Sequence, residues 1–292
     1  MTQLPDADSG HSFPPQARYC GNVEKALRQI EAGHLDKVVL SRSRKLLAQV
    51  DVPRLVQRLM PRNLMGYTYA INLEDSDLPS HARTLVGASP ELLLRKRDRH
   101  VVSHPLAGSI PRSADALEDQ RRAARLLESA KDLREHAYVV DAVAHTLAPY
   151  CRTLIVPPAP TLVSTPTMWH LGTRIVGELK DEDASALELA LALHPTPAVC
   201  GHPNAAAKNF IRQHEGFDRA YFAGLVGWTD LRGDGEWAVT IRCAEVTPQH
   251  ATLYAGAGVV SGSDPQREWA ETEAKMATMW GAMASTLVKE AA

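Results

Sequence analysis

The chain has only four cysteines in 292 residues, Cys20, Cys151, Cys200 and Cys243, far apart and without a CxxC pair. That spacing excludes a disulfide frame and a cysteine zinc site, and it predicts reduced thiols in a cytoplasmic protein. No apolar run approaches the ~18 residues that a membrane helix needs, and the first residues show no basic region followed by an apolar one. A membrane partner is therefore not expected. An excess of charge is lacking too: 32 basic against 34 acidic side chains give a formal net charge of -2, so no nucleic acid is expected as a partner. The 12 histidines include no HExxH or comparable spacing, which argues against zinc and for surface or hydrogen-bonding roles. There is no internal repeat, no low-complexity segment and no linker through the middle of the chain.

What is present is an apolar fraction of 45%, enough for a sizeable core. Residues 1–17 are polar and hold three prolines, which predicts a flexible leader ahead of a single domain over 18–292. Helical periodicity is expected over 22–33, 52–60, 114–147, 184–193 and 204–214. Strand patterns are expected over 35–44, 67–73, 84–95 with a kink at Ser89-Pro90, 101–110, 221–228, 237–246 and 251–260. Antiparallel runs of strands with helices in blocks between them indicate an α+β protein whose sheets pack together under outer helices.

Near the end, Asp264 or Ser263 can cap a helix that begins at Pro265 and carries Glu268, Glu271 and Lys275 at spacings of three and four. Those side chains share one face. An upstream helix places Asp132 and Glu135 three apart, so two acidic helices offer oxygen ligands suited to a hard cation. Taken alone, the final stripe is better explained as a solvated helix laced by ion pairs; the second acidic helix is what favours a cation. Lys37 lies on an apolar strand, where desolvation lowers an ammonium pKa and makes a general base. Glu91, at the Pro kink, is open to the opposite shift and an acid role. Gly256-Ala257-Gly258 is a poor dinucleotide fingerprint, because a serine follows where the third glycine belongs and no helix begins at once. It fits either a hairpin end or a backbone cradle for a carboxylate, with Arg242 and Lys275 supplying charge.

A longer set of motifs resembles the chorismate-utilising enzymes of menaquinone, siderophore and tryptophan biosynthesis, and within them the isochorismate synthases. The motifs include Lys37-Val38-Val39-Leu40-Ser41-Arg42, Gly87-Ala88-Ser89-Pro90-Glu91, Pro105-Leu106-Ala107-Gly108-Ser109 and Arg134-Glu135-His136. They continue in His194-Pro195-Thr196-Pro197-Ala198-Val199-Cys200-Gly201, Ile241-Arg242-Cys243-Ala244 and Glu268-Trp269-Ala270-Glu271-Thr272. The resemblance implies an α/β/β/α sandwich of two stacked, mainly antiparallel sheets with outer helices and a buried site between them. It implies Mg²⁺ ligated by Glu135 and Glu271, with Glu268 and Asp132 as outer or water-mediated ligands; Asp132 stands where many relatives have Glu. Chorismate would be held by Arg242 and Lys275, assisted by backbone N–H groups near Gly108 and Gly256, in a pocket that includes Ala198, Phe222 and Ile241. Lys37 matches the base that activates water for attack at C2, Glu91 the acid that protonates the departing C4 hydroxyl, and His170 a site histidine near the ring.

Within the family, Lys37 stands where the ammonia-using members carry Gln, and Ala107 where aminodeoxychorismate synthases carry a lysine. Ala198 and Phe222 stand where salicylate synthases tend to have Thr and Tyr. These positions favour a reaction that stops at isochorismate over a salicylate synthase or a non-catalytic chorismate-binding homologue. The resemblance implies a monomer, with a dimer as the alternative. The 36 residues before Lys37 are fewer than is usual in the family, so a sheet edge is expected to need cover from another subunit or an unusual helix.

Overall fold

The computed structural model describes residues 10–73 and 82–284. The chain begins with β1 (Gly10–Phe13), α1 (Gln16–Glu31), β2 (Lys37–Leu47), α2 (Val52–Leu59), β3 (Tyr67–Asn72), β4 (Thr84–Ser89), β5 (Leu92–Arg97), β6 (His100–His104) and β7 (Leu106–Pro111). Two helices, α3 (Ala116–Glu128) and α4 (Ala130–Leu147), lead to β8 (Cys151–Ile155), β9 (Thr161–Ser164), β10 (Met168–Gly172) and β11 (Ile175–Leu179). Next come α5 (Ala186–Leu193), β12 (Gly201–His202) and α6 (Asn204–His214). The last part is β13 (Leu225–Thr229), β14 (Gly235–Val239), β15 (Cys243–Val246), β16 (His250–Val260) and α7 (Pro265–Met283).

Two large antiparallel sheets, with outer helices, organise these elements, as the resemblance implied. One runs β1-β2-β16-β15-β4-β3, with β12 also on β2; the other runs β13-β14-β5-β6-β11-β8. A small third sheet, β7-β10-β9, lies apart from both. The longest ladder joins β2 to β16, pairing Lys37 with Val260, Val39 with Gly258 and Ser41 with Gly256. Because side chains alternate along a strand, these residues share one face. The alternate face of the same strands buries Val38, Leu40 and Val259 against Tyr19, Val23 and Ala26 of α1 and Ala207 and Phe210 of α6. Farther along, Leu46, Ala251, Leu253 and Ala255 pack on α2 and α7 through Leu55, Leu59, Met276 and Met279. Burial of this kind contributes roughly 25 cal/mol per Å² of apolar surface, so the helix-facing side holds the sheet flat against its cover while the other side is free for chemistry.

Several boundaries differ from the pattern reading. The expected leader is structured from Gly10 onward: β1 pairs with β2, Phe13 opposite Ser43, and α1 starts at Gln16. The outer edge of β2 is thus covered by β1 and β12 of this same chain, without recourse to a second subunit. Residues 1–9 of that leader lie outside the described residues. The helix expected over 114–147 is two, because Ser129 leaves helical geometry with ψ 106 and its side chain caps α4 by accepting from Asp132 N at 3.3 Å. The run 101–110 breaks at Pro105, and the run 237–246 at Thr240–Arg242; each break carries the chain from one sheet into another. The 221–228 run becomes strand only at Leu225. Among the described residues no helix is long and apolar enough to cross a membrane, and all four cysteines are free and buried.

Candidate active site

A cavity lies where these crossovers meet. It is lined by Val39, Ser41, Gly256 and Gly258 from the β2–β16 ladder, Glu91 and Pro90 from the β4–β5 crossover, and Ile241 and Arg242 from the β14–β15 crossover. Ala107, Gly108 and Ser109 of β7, His170 of β10, Glu135 of α4, Lys275 of α7, and Ala198, Val199 and Phe222 also line it. Of the residues singled out in the sequence, Glu91, Gly108, Glu135, His170, Ala198, Phe222, Ile241, Arg242, Gly256 and Lys275 are brought together here. Four others stand just outside the wall: Lys37, Asp132, Glu268 and Glu271.

Lys37 is fully buried on β2, and its Nζ lies 3.2 Å from Glu135 Oε1. Burial lowers its pKa, an effect that Glu135 opposes in part. Glu91 shifts the other way. Burial pushes its carboxyl up to about 7 against the Leu106 N–H, Lys37 and Arg242, which all favour the anion. Arg242 reaches the cavity with φ +52, a left-handed conformation that a non-glycine residue rarely adopts and that clusters at functional sites. Its Nη2 stands 3.2 Å from His170 Nε2. Burial, with Arg242 and Lys275 nearby, holds His170 well below the usual imidazole value, so the neutral ring accepts at Nε2 and carries its proton on Nδ1.

The acidic residues form a graded cluster. Lys275 Nζ pairs with Glu271 at 2.6 Å and donates to Gly256 O at 3.0 Å, so the stripe on α7 does hold one internal ion pair. Ser109 Oγ donates to Glu271 at 2.8 Å. Lys131, which the pattern reading passed over, places its Nζ 3.1 Å from Glu268, 3.6 Å from Glu135 and 3.6 Å from Asp132. Its signal in the sequence was the i,i+4 spacing to Glu135. Burial, then the neighbouring Glu271, raises Glu268 to about 7 against the pull of Lys131. Burial also raises Asp132. Glu135 is held below the ordinary carboxylate range: burial would raise it, but Lys37, Lys131 and Lys275 together outweigh burial.

Two further supports went unread in the sequence. His136, next to Glu135, sits 3.1 Å from Ala107 O through Nδ1 and 2.7 Å from Thr173 Oγ1 through Nε2, tying the Ala107–Gly108 turn to α4. Arg42, on the helix-facing side of β2, donates to Thr272 Oγ1 at 2.6 Å and stacks 3.7 Å over the Trp269 ring, which locks α7 to the strand that carries Lys37. Gly258 matters for space alone: a Cβ there would lie 2.1 Å from Glu135 Oε1 and 3.1 Å from Lys37 Cε. Gly258→Ala must therefore displace Glu135, and turnover should fall by about 10²-fold, the scale set by an ångström of misplacement. Cooperative unfolding should persist, and a variant of normal turnover would refute the placement.

Comparison with known proteins identifies the family. The sequence matches the family described as "Chorismate binding enzyme" over residues 5–284. The chain belongs to the chorismate-binding enzyme family. It is 53% identical over 285 residues to isochorismate synthase DhbC of Bacillus subtilis (strain 168), covering 95% of this chain and 72% of that protein. It is 47% identical over 273 residues to the vibriobactin-specific isochorismate synthase of Vibrio cholerae, covering 93% of this chain and 68% of that one. The crystal structure of DhbC from Bacillus anthracis superposes with a TM-score of 0.91 at 49% identity, over 97% of this chain and 76% of that one. The stacked antiparallel sheets and outer helices are thus the fold of chorismate-utilising enzymes.

Proposed function

We propose that this family member is an isochorismate synthase, an isomerase that converts chorismate to isochorismate, and that it works with magnesium in the cytoplasm. The observation that carries the mechanism is the pairing of a lysine and a glutamate with opposite pKa shifts around one cavity, Lys37 lowered and Glu91 raised. Such a pair separates base from acid at neutral pH. Lys37 takes a proton from water as the oxygen adds to C2 of the ring. The double bonds shift, and Glu91 gives its proton to the C4 hydroxyl, which departs as water. Arg242 and Lys275 hold the carboxylates, and neutral His170 orients the Arg242 fork. Ala198 and Phe222 both line the cavity. Phe222 is stacked on Tyr254 with ring centroids 5.3 Å apart, a packing that leaves the pocket apolar there and favours release of isochorismate over further breakdown.

Magnesium suits the donors present. Glu135, Glu268, Glu271 and Asp132 are hard oxygen ligands, and Glu268 Oε2 is buried without a hydrogen-bond partner. Among the described residues no three His, Cys, Asp or Glu side chains form a ready-made metal group. Magnesium needs no such cage, because it commonly uses one or two protein carboxylates with waters and substrate oxygens. When bound through Glu135 and Glu271, the ion would supply charge to hold the ring carboxylate. Relatives named for 2,3-dihydroxybenzoate and vibriobactin favour siderophore biosynthesis as the destination of the product. The test is to incubate the protein with chorismate and Mg²⁺, with and without EDTA, and to separate the products. Isochorismate formed only with the metal is expected. Untouched chorismate would sink the activity, metal-independent turnover would sink the magnesium role, and salicylate with pyruvate would install the lyase reading.

A further inference from the structure

Lys131 stands at the centre of the acidic cluster, and none of the roles above uses it. Its ammonium lies within 3.1–3.6 Å of Glu268, Glu135 and Asp132, carboxylates from two different helices, α4 and α7. The ammonium draws those groups together against the mutual repulsion of their charged forms. The lysine is not locked in place. It has 23% of its side chain exposed, against 7% for Glu135 and 3% for Glu268, so the four-carbon stem leads from the acids toward solvent. The ammonium meets Glu268 through Oε1 at 3.1 Å, while Glu268 Oε2 is buried without a hydrogen-bond partner.

We propose that Lys131 is an internal counterion that occupies the cation position of this cluster and is displaced when a divalent ion binds. The inference rests on the magnesium reading above. A dication held through Glu135 would stand beside the ammonium that pairs with the same carboxylate, and the two would repel each other; the strongly hydrated lysine head, on its flexible stem, is the partner able to leave. Lys131 thereby does two things: it keeps α4 and α7 together in the metal-free protein, and it sets the metal affinity by competition. Glu135 also keeps Lys37 as a partner, so displacement of Lys131 leaves the base in place.

The test is calorimetric titration of Mg²⁺ into EDTA-treated protein at pH 8, for wild type, Lys131→Met, Lys131→Gln and Lys131→Arg. Removing the competing charge should tighten Mg²⁺ binding by about tenfold or more, while the charge-retaining Arg variant stays near wild type. Thermal unfolding supplies the second readout. In EDTA the Met and Gln variants should melt below wild type, because their carboxylates lack a counterion, and Mg²⁺ should raise their midpoint by more than it raises that of wild type. Equal or weaker Mg²⁺ affinity in the neutral variants would overturn the counterion role alone. An absence of saturable binding in every protein, wild type included, would overturn the magnesium reading and this inference with it.

Discussion

Lys37→Ala should lower kcat/KM for chorismate by about 10³-fold, within the range that a positioned general base contributes and equivalent to about 4 kcal/mol of transition-state stabilisation. Period-two alternation turns Lys37, Val39 and Ser41 toward the cavity side, while Val38 and Leu40 enter the core. A fully buried ammonium is paired there with Glu135 and has its pKa lowered by desolvation. Truncation removes the proton acceptor and leaves the acid cluster to Lys131 and Lys275. Binding of chorismate with Mg²⁺, measured by calorimetry, should survive, because Arg242, Lys275 and the carboxylates are untouched. The split between lost turnover and retained binding is the diagnostic. Turnover within about tenfold of wild type would exclude Lys37 as the base.

Glu91→Gln should cost about 10²- to 10⁴-fold in kcat, the loss of a general acid, and should also change the shape of the pH profile. Glu91 titrates near 7 in the free protein because it is buried between two sheets. Its proton is present below that pH and lost above it, so wild-type kcat/KM should decline as pH rises through about 7. The amide has no such ionisation. In Glu91→Gln the decline should vanish, leaving a low rate whose pH dependence comes from other groups. A variant that loses rate yet keeps the same alkaline decline would move the titration to another residue, with Glu268, also raised to about 7, the first to examine.

Much of the site was legible because its residues sit in elements with strong local signals. Asp264 caps α7 through Gln266 N and Arg267 N at 3.1 and 2.9 Å, as the Ser-Asp-Pro run predicted. The Glu268, Glu271, Lys275 face then followed from helical spacing, and the Lys275–Glu271 pair realises it. The Ser89-Pro90 kink does break the strand, between β4 and β5, since a proline cannot continue a central ladder, and Glu91 lies at that break on the cavity. Lys131 was missed because a lysine one residue from an aspartate on a helix is ordinarily solvated. Only α7, arriving from 137 positions later in the chain with Glu268, brings a carboxylate of a second helix to this half-buried ammonium.

Chain order alone, through alternation, capping and the long motifs, indicated most elements, the family and most of the cavity wall. Those are local properties: a period of two or 3.6, a proline, a capping aspartate. Tertiary structure decided what depends on juxtaposition. Strands expected as single runs at 101–110 and 237–246 had to break, because the chain passes between sheets there, and those breaks deliver Gly108 and Arg242 to the cavity. The expected leader became β1 because the edge of β2 offers unpaired backbone groups that residues 10–13 satisfy. Charges decided last. Whether a carboxylate binds a metal, an ammonium or a hydroxyl depends on which cations the fold places within a few ångströms of it, and in this protein that set, Lys37, Lys131 and Lys275, is drawn from three separate elements.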